Sequence, residues 1–374
     1  MTTDFPRSSS EMSLQWMQTQ LRPHCGPLAD TILRAEPEVL DCPAQTAQIV
    51  RYHLHYKMKL VGDDSAPASL VAKHSPENAQ ARMQFHQHGL YARELSFYRE
   101  FGPDPGIPLP VIYSADIDPD SGEFIVLMED LGTFRQGDFW APNINDVRLA
   151  LVELARFHRH WWCTERTSEA RWLGQPEALG HFEAEVAPML PTMLGVIRRK
   201  YGDAMSQYLT DLCMDLVEGW GAVWTANPLQ CLTVIHGDYH PNEMYFAADP
   251  QAGSLRVADW QMCSRGSPGL DVQRILLTGL SGEDFVEHFD SLLDLYHAEL
   301  LSDGLEYSRE RLVEDVRQGA LITIRNWLFA LAFTDRIHAT RASAIANADL
   351  KKRMFDDYEQ MFRLLRLKQM VNDP

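Results

Sequence analysis

Positive charge is in short supply in this chain: 34 lysines and arginines stand against 52 aspartates and glutamates, a formal net charge of −18 over 374 residues. A field of that sign repels nucleic-acid phosphates and anionic lipid, so neither is an expected partner. Long apolar runs are lacking as well. No stretch approaches the roughly 20 residues of a membrane-spanning helix, and Met1 to Ser13 is polar, without the apolar centre of a signal peptide. The six cysteines (Cys25, Cys42, Cys163, Cys213, Cys231 and Cys263) show no paired spacing. Reduced thiols and a cytoplasmic setting are therefore expected, rather than disulfides or structural zinc. Histidine pairs at 53/55, 86/88 and 158/160 are spaced two apart. Such positions do not share a helix face, and further ligands at metal-binding spacing are missing.

What is present is an ordinary globular composition, 45% hydrophobic and 23% charged, in a chain long enough for two lobes. Val50, Tyr52, Leu54, Tyr56, Met58 and Leu60 alternate with Arg51, His53, His55, Lys57 and Lys59. That period-two pattern predicts a strand with one wet face. Ser69 to Lys73 reads as a second strand and Phe124 to Met128 as a third, with a helix near Gln84 to Phe101 between them. Beyond Gly132 the pattern turns helical: Asn145 to Trp162, Glu283 to Ser302, Ser308 to Phe333 and Ala348 to Met370, interrupted by a hairpin over 232–260. The expectation is a two-lobed α+β fold: a small antiparallel-sheet lobe over residues 1–130 and a mainly helical lobe over 131–374 that carries the hairpin. A cleft between lobes is the expected ligand site.

The chemistry concentrates in IHGDYHPNEMYF, Ile235 to Phe246, followed by LRVADWQ at Leu255 to Gln261. Asp238 and Asp259 each end an apolar run, with turn residues between the runs. Two carboxylates held at one edge of a small hairpin are what in-line phosphoryl transfer requires: one orients and deprotonates an attacking hydroxyl, the other holds magnesium against nucleotide phosphates. Gly237 permits a sharp turn that projects Asp238, and His236 is assigned a structural hydrogen bond. Lys73 closes the second strand, and Glu94 lies on the next helix. A strand lysine held by a helix glutamate is a cation aimed at the α and β phosphates.

HGDYHP, followed by DWQ and GSPGLD, with Lys73 and Glu94 upstream, resembles the aminoglycoside phosphotransferase and choline kinase superfamily, and within it the ecdysteroid-kinase-like branch. The resemblance covers the chain from about Leu40 onward. It implies a protein-kinase-like fold, ATP with Mg²⁺, and transfer of the γ-phosphate to a hydroxyl of a small organic molecule. It makes Asp238 the catalytic base, Asp259 the metal aspartate, Lys73 and Glu94 the phosphate clamp, and Asp271 a brace for the catalytic loop. Glu129 and Asp130 fall in the linker that meets the adenine edge.

Two departures stand out. The superfamily has asparagine at the second metal position, where this chain has Glu243, with Asn242 one place early. Glu243 is taken as the ligand there, since a carboxylate oxygen also suits a hard cation. The loop Asp41 to Gln48, expected to cover the phosphates, contains no glycine and includes Pro43. Thr46 and Gln48 are left to supply side-chain contacts. These departures motivate an alternative: a pseudokinase that binds a metabolite or partner protein without catalysis. Trp327 and the segment Asp335 to Arg341 are expected to border the acceptor pocket.

Overall fold

The structure, a computed structural model, describes residues 5–40, 47–57, 66–174, 186–226, 232–248, 255–332 and 348–372. Thr46, most of the 41–48 loop and the segment 335–341 lie outside the described residues. The chain forms two compact units, one of Met1–Arg135 with Tyr245–Met262, the other of Gln136–Met244 with Cys263–Pro374.

The first unit is built on a five-stranded antiparallel sheet in the order β1-β2-β3-β5-β4. The strands are β1 (Ile32–Val39), β2 (Gln48–Tyr56), β3 (Ser69–His74), β4 (Ile112–Ile117) and β5 (Phe124–Glu129). The alternation in β2 has its physical cause in the packing. Val50, Tyr52 and Leu54 face a core shared with Leu70 and Ala72 of β3 and Ile125 and Leu127 of β5. Helix α1 (Leu14–Cys25), capped by the Ser13 side chain, closes that face with Met17 and Leu21. The β1 segment, ILRAEPEV, was not expected as a strand. Its charges and Pro37 are tolerated because β1 is an edge strand that is exposed along nearly all its length.

The helix expected near 84–101 is two helices, α2 (Ala79–Gln87) and α3 (Leu90–Ser96), followed by a wide π-type turn over Phe97–Phe101. They break at Gly89, whose φ of +71° is left-handed. Strand β6 (Arg135–Gln136) joins β8 (Met244–Phe246) and β9 (Leu255–Val257) in a second sheet, ordered β6-β8-β9. The strands before the two aspartates, β7 (Thr233–Ile235) and β9, are therefore not paired with each other. Instead β7 runs antiparallel to β10 (Ser264–Gly266), beyond Asp259.

The second unit is mainly helical: α4 (Ile144–His160), α5 (Leu190–Tyr201), α6 (Gln207–Ala226), α7 (Gly269–Gly279), α8 (Gly282–Leu300), α9 (Arg309–Ala332) and α10 (Ala348–Leu364). Leu151 and Leu154 of α4, Ile275 and Leu276 of α7, Leu292 and Tyr296 of α8 and Leu312 and Val316 of α9 are among its buried core residues. Each long helix follows from an apolar stripe at helical spacing. The GSPGLD run fixes α7 against α9. A Cβ on Gly269 would lie 2.5 Å from Asp315, and the Ser267 hydroxyl donates to the buried Asp315 carboxylate. Trp161, at the end of α4, is buried, with Arg166 over its ring.

Candidate active site

Within the first unit, Lys73 and Asp259 meet. β3 pairs with β2 and β5 through Ile49 and Val126 at the Lys73 position, so backbone on both sides fixes the lysine. Its Nζ donates to both oxygens of Glu94, at 2.9 and 2.8 Å, and lies 3.2 Å from Asp259 Oδ1. Glu94 is only 1% exposed and Lys73 6%. Burial pushes the Glu94 carboxyl upward, against the pull of Lys73, and the second carboxylate, Asp259, adds to the push. Burial also works against the Lys73 ammonium, but the two carboxylates outweigh it and raise its pKa.

The residues that aim Asp259 are local. Its backbone is left-handed, φ +60°, a conformation that aspartate tolerates better than most residues. Trp260, fully buried, stacks on Phe97 at 3.8 Å with the planes 4° apart, and its indole N–H donates to Val257 O. That stack locks the DW pair onto the turn following α3, the helix that carries Glu94. Gln261 Nε2 donates to Asp259 Oδ2 at 3.3 Å.

Glu129 and Asp130 are both occupied in holding the chain where it leaves β5. Glu129 Oε2 accepts Val111 N–H at 3.1 Å. Asp130 accepts from Arg51 Nε at 2.8 Å, from the Ser69 hydroxyl and from Gly132 N–H at 2.9 Å. Burial raises the Asp130 pKa, but these donors more than offset it and hold the carboxyl below its usual value. Their side chains fasten this segment to its neighbours.

Within the second unit, Asp238 sits on the turn after β7. Gly237 adopts φ +83°, the sharp turn read from the sequence. Asp271, fully buried on α7, accepts His236 N–H at 2.6 Å through Oδ2 and Gly237 N–H at 2.9 Å through Oδ1. It is the brace the resemblance implied. His236 is a structural hydrogen-bonder, its Nδ1 accepting Asp238 N–H at 3.3 Å. His158 backs the brace, 2.7 Å from the Tyr296 hydroxyl and 3.3 Å from Asp271 Oδ2. It belongs to a histidine pair with no metal role in the sequence reading.

Arg274 was missed in the sequence. One turn after Asp271 on α7, it donates to Asp238 Oδ1 from Nε at 3.0 Å and Nη2 at 2.7 Å. His240 Nε2 faces Asp238 Oδ2 at 3.4 Å and Glu243 Oε1 at 3.6 Å. Burial alone would raise the Asp238 pKa, but the charges of His240 and Arg274 hold it far below the carboxylate range. An arginine on an amphipathic helix carries no sequence signal that separates it from a surface residue; His240 lies inside HGDYHP, but its approach to Asp238 shows only in the fold.

Asn242 Oδ1 accepts Phe139 N–H at 3.0 Å, and Gln136 Nε2 donates to Asn242 O. The asparagine one place early is thus engaged in fixing the 136–140 segment, while Glu243 carries the carboxylate. Among the described residues no three histidine, cysteine, aspartate or glutamate side chains form a ready-made metal cage. Magnesium needs only one or two carboxylates beside phosphates and water, and Asp259 and Glu243 have oxygen chemistry of that kind.

Solved structures resemble this chain in fold. The amicoumacin kinase hAmiN, solved in complex with AMP-PNP, Ca²⁺ and Ami, superposes with a TM-score of 0.50 at 14% identity, covering 94% of each chain. Choline kinase LicA from Streptococcus pneumoniae gives a TM-score of 0.47 at 13% identity, covering 96% of this chain and all of that one. At such identities the likeness is one of fold. No curated protein matches the sequence. A profile of the ecdysteroid kinase-like family matches residues 44–307, more than half of the chain, and the protein belongs to that family.

Proposed function

We propose that the protein is an ATP-dependent O-phosphotransferase that moves the γ-phosphate to a hydroxyl of a small organic molecule. The observation that carries this reading is Lys73, buried on β3 and held at once by Glu94 and Asp259. A buried lysine so fixed is a preorganised cation for the α and β phosphates, and the aspartate beside it is a carboxylate for the metal. Magnesium, when bound, neutralises charge on the phosphate oxygens, and Asp259 and Glu243 are the residues that would hold it.

Asp238 is the acceptor-side group. Arg274 holds Oδ1 with two donors and His240 Nε2 stands farther off, 3.4 Å from Oδ2, so Oδ2, the less tightly held oxygen, is the one that receives the substrate hydroxyl. A carboxylate of such low basicity orients the hydroxyl more than it removes its proton in the ground state. That suits a loose transition state, in which the proton leaves late. The acceptor O–Pγ bond forms, the bond from Pγ to the β,γ-bridging oxygen breaks, ADP departs and the hydroxyl proton passes to Asp238 and then to water.

The test is Asp238→Asn, assayed by ADP release with a panel of hydroxylated compounds. Turnover should fall by about 10²- to 10⁴-fold while nucleotide affinity stays within about two-fold. An asparagine variant as fast as the parent removes Asp238 from the reaction.

A further inference from the structure

A groove wholly within the second unit lies beside the catalytic loop. Phe139, Trp140, Leu277, Met354, Tyr358 and Met361 form most of its wall. Phe139 and Trp140 meet edge to face at 5.0 Å, and Tyr358 is backed in the same manner by Trp327 at 5.7 Å. Trp327, expected at the border of an acceptor pocket, thus reaches the groove through the tyrosine.

Two connections tie this wall to Asp238. Asn242 of the catalytic loop holds Phe139 N–H, which fixes the aromatic side. Helix α7 carries Arg274, the Asp238 clamp, and one turn later Leu277 and Thr278 of the groove. One helical turn is about 5.4 Å, so the same helix carries the Asp238 clamp and part of the groove wall on neighbouring turns.

The polar lining is balanced. Arg353 and Asp357 face each other at 3.8 Å, and Asp357 also accepts Gly282 N–H at 2.9 Å. The Thr278 hydroxyl is used by Arg274 O. The groove therefore offers three aromatic rings and two thioethers but no free charge of either sign. Rings and sulfur favour an aromatic guest. A polycationic sugar would find one carboxylate there, already answered by an arginine.

We propose that this groove holds the body of the acceptor, and that the acceptor is an uncharged aromatic alcohol of one or two rings. Only the naming of this ligand as phosphate acceptor rests on the phosphotransferase reading; the binding itself does not. The test is isothermal titration of 2-naphthaleneethanol into the full chain without nucleotide, with kanamycin as the polycationic comparison. The naphthyl alcohol should bind, Phe139→Ala and Trp140→Ala should each weaken it about ten-fold with unchanged melting curves, and kanamycin should give no heat. Absence of naphthyl binding, or binding that both variants leave intact, overturns the assignment. ADP release driven by kanamycin but not by the naphthyl alcohol also overturns it, while leaving phosphotransfer standing. Groove-dependent binding without ADP release from any hydroxylated compound supports the groove and counts against phosphotransfer.

Discussion

Arg274 grips one oxygen of Asp238 with two N–H donors while His240 stands beside the other, and the two together hold the carboxylate's basicity down. Removing the guanidinium should raise the Asp238 pKa toward the ordinary carboxylate range. Below that pKa the carboxyl is protonated and cannot accept the hydroxyl. The parent's rate should therefore show no acid limb from this group at mildly acidic pH, whereas Arg274→Met should acquire one. We expect kcat for Arg274→Met to fall about 10- to 100-fold, with partial recovery in Arg274→Lys. A pH–rate profile of the three proteins checks this.

The Lys73–Glu94 pair is a buried ion pair, and such a pair is costly to halve. Glu94→Ala should destabilise the protein by about 3 to 5 kcal/mol, because Lys73 keeps its charge with only Asp259 to answer it. Lys73→Met should lose most nucleotide affinity. Urea unfolding measures the first effect and nucleotide titration the second.

Glu243 stands where the sequence resemblance implies asparagine, and His240 faces it at 3.6 Å. If its role is to present oxygen to magnesium, Glu243→Asn keeps or improves Mg²⁺-dependent turnover, since the amide oxygen suffices and one negative charge is removed near the triphosphate. Loss of activity in this variant would give the glutamate a dedicated task. Turnover against Mg²⁺ concentration separates the outcomes.

His74, beside Lys73 in sequence, points to the opposite face of the sheet. It is 1% exposed, and among the described residues neither ring nitrogen has a hydrogen-bond partner. Burial lowers its pKa to about 4, only partly countered by Glu11. The folded state thus binds this proton more weakly than the unfolded chain, whose histidine titrates near 6.5. Stability from this residue is complete above about pH 6.5 and is lost as pH falls toward 4, on the order of 3 kcal/mol in all. Denaturant melts at pH 7 and pH 5 should differ accordingly, and His74→Phe should flatten the difference.

The strands that were legible in the sequence were those with one wet and one dry face. In β2 the alternation from Val50 to Leu54 is the burial pattern itself. The β1 segment was illegible because an edge strand can be exposed along its length and can include Pro37. The break at Gly89 was hidden by apolar residues that recur at helical spacing on both sides of it. In the candidate site, Lys73, Glu94, Asp238, Asp259 and Asp271 were legible because each sits at a strand end, on a helix face or in a turn with its own signal. Arg274 was not, because its significance lies in a contact with Asp238 made by the fold; His240 stood inside HGDYHP, but its contact with Asp238 did not show there. The pairing of β7 with β10 escaped for the same reason: three-residue strands show no period, and only the tertiary arrangement selects their partners.

The central claim is that Lys73, Glu94 and Asp259 form a nucleotide site that works with a divalent cation. Thermal unfolding with AMP-PNP, in Mg²⁺ and in EDTA, tests it most directly. At about 100 times the dissociation constant a ligand of the native state contributes about 2.7 kcal/mol. AMP-PNP with Mg²⁺ should therefore raise the melting temperature by several degrees, the rise should shrink in EDTA, and it should vanish in Lys73→Met. A melting curve that millimolar AMP-PNP with Mg²⁺ leaves unmoved would contradict the account.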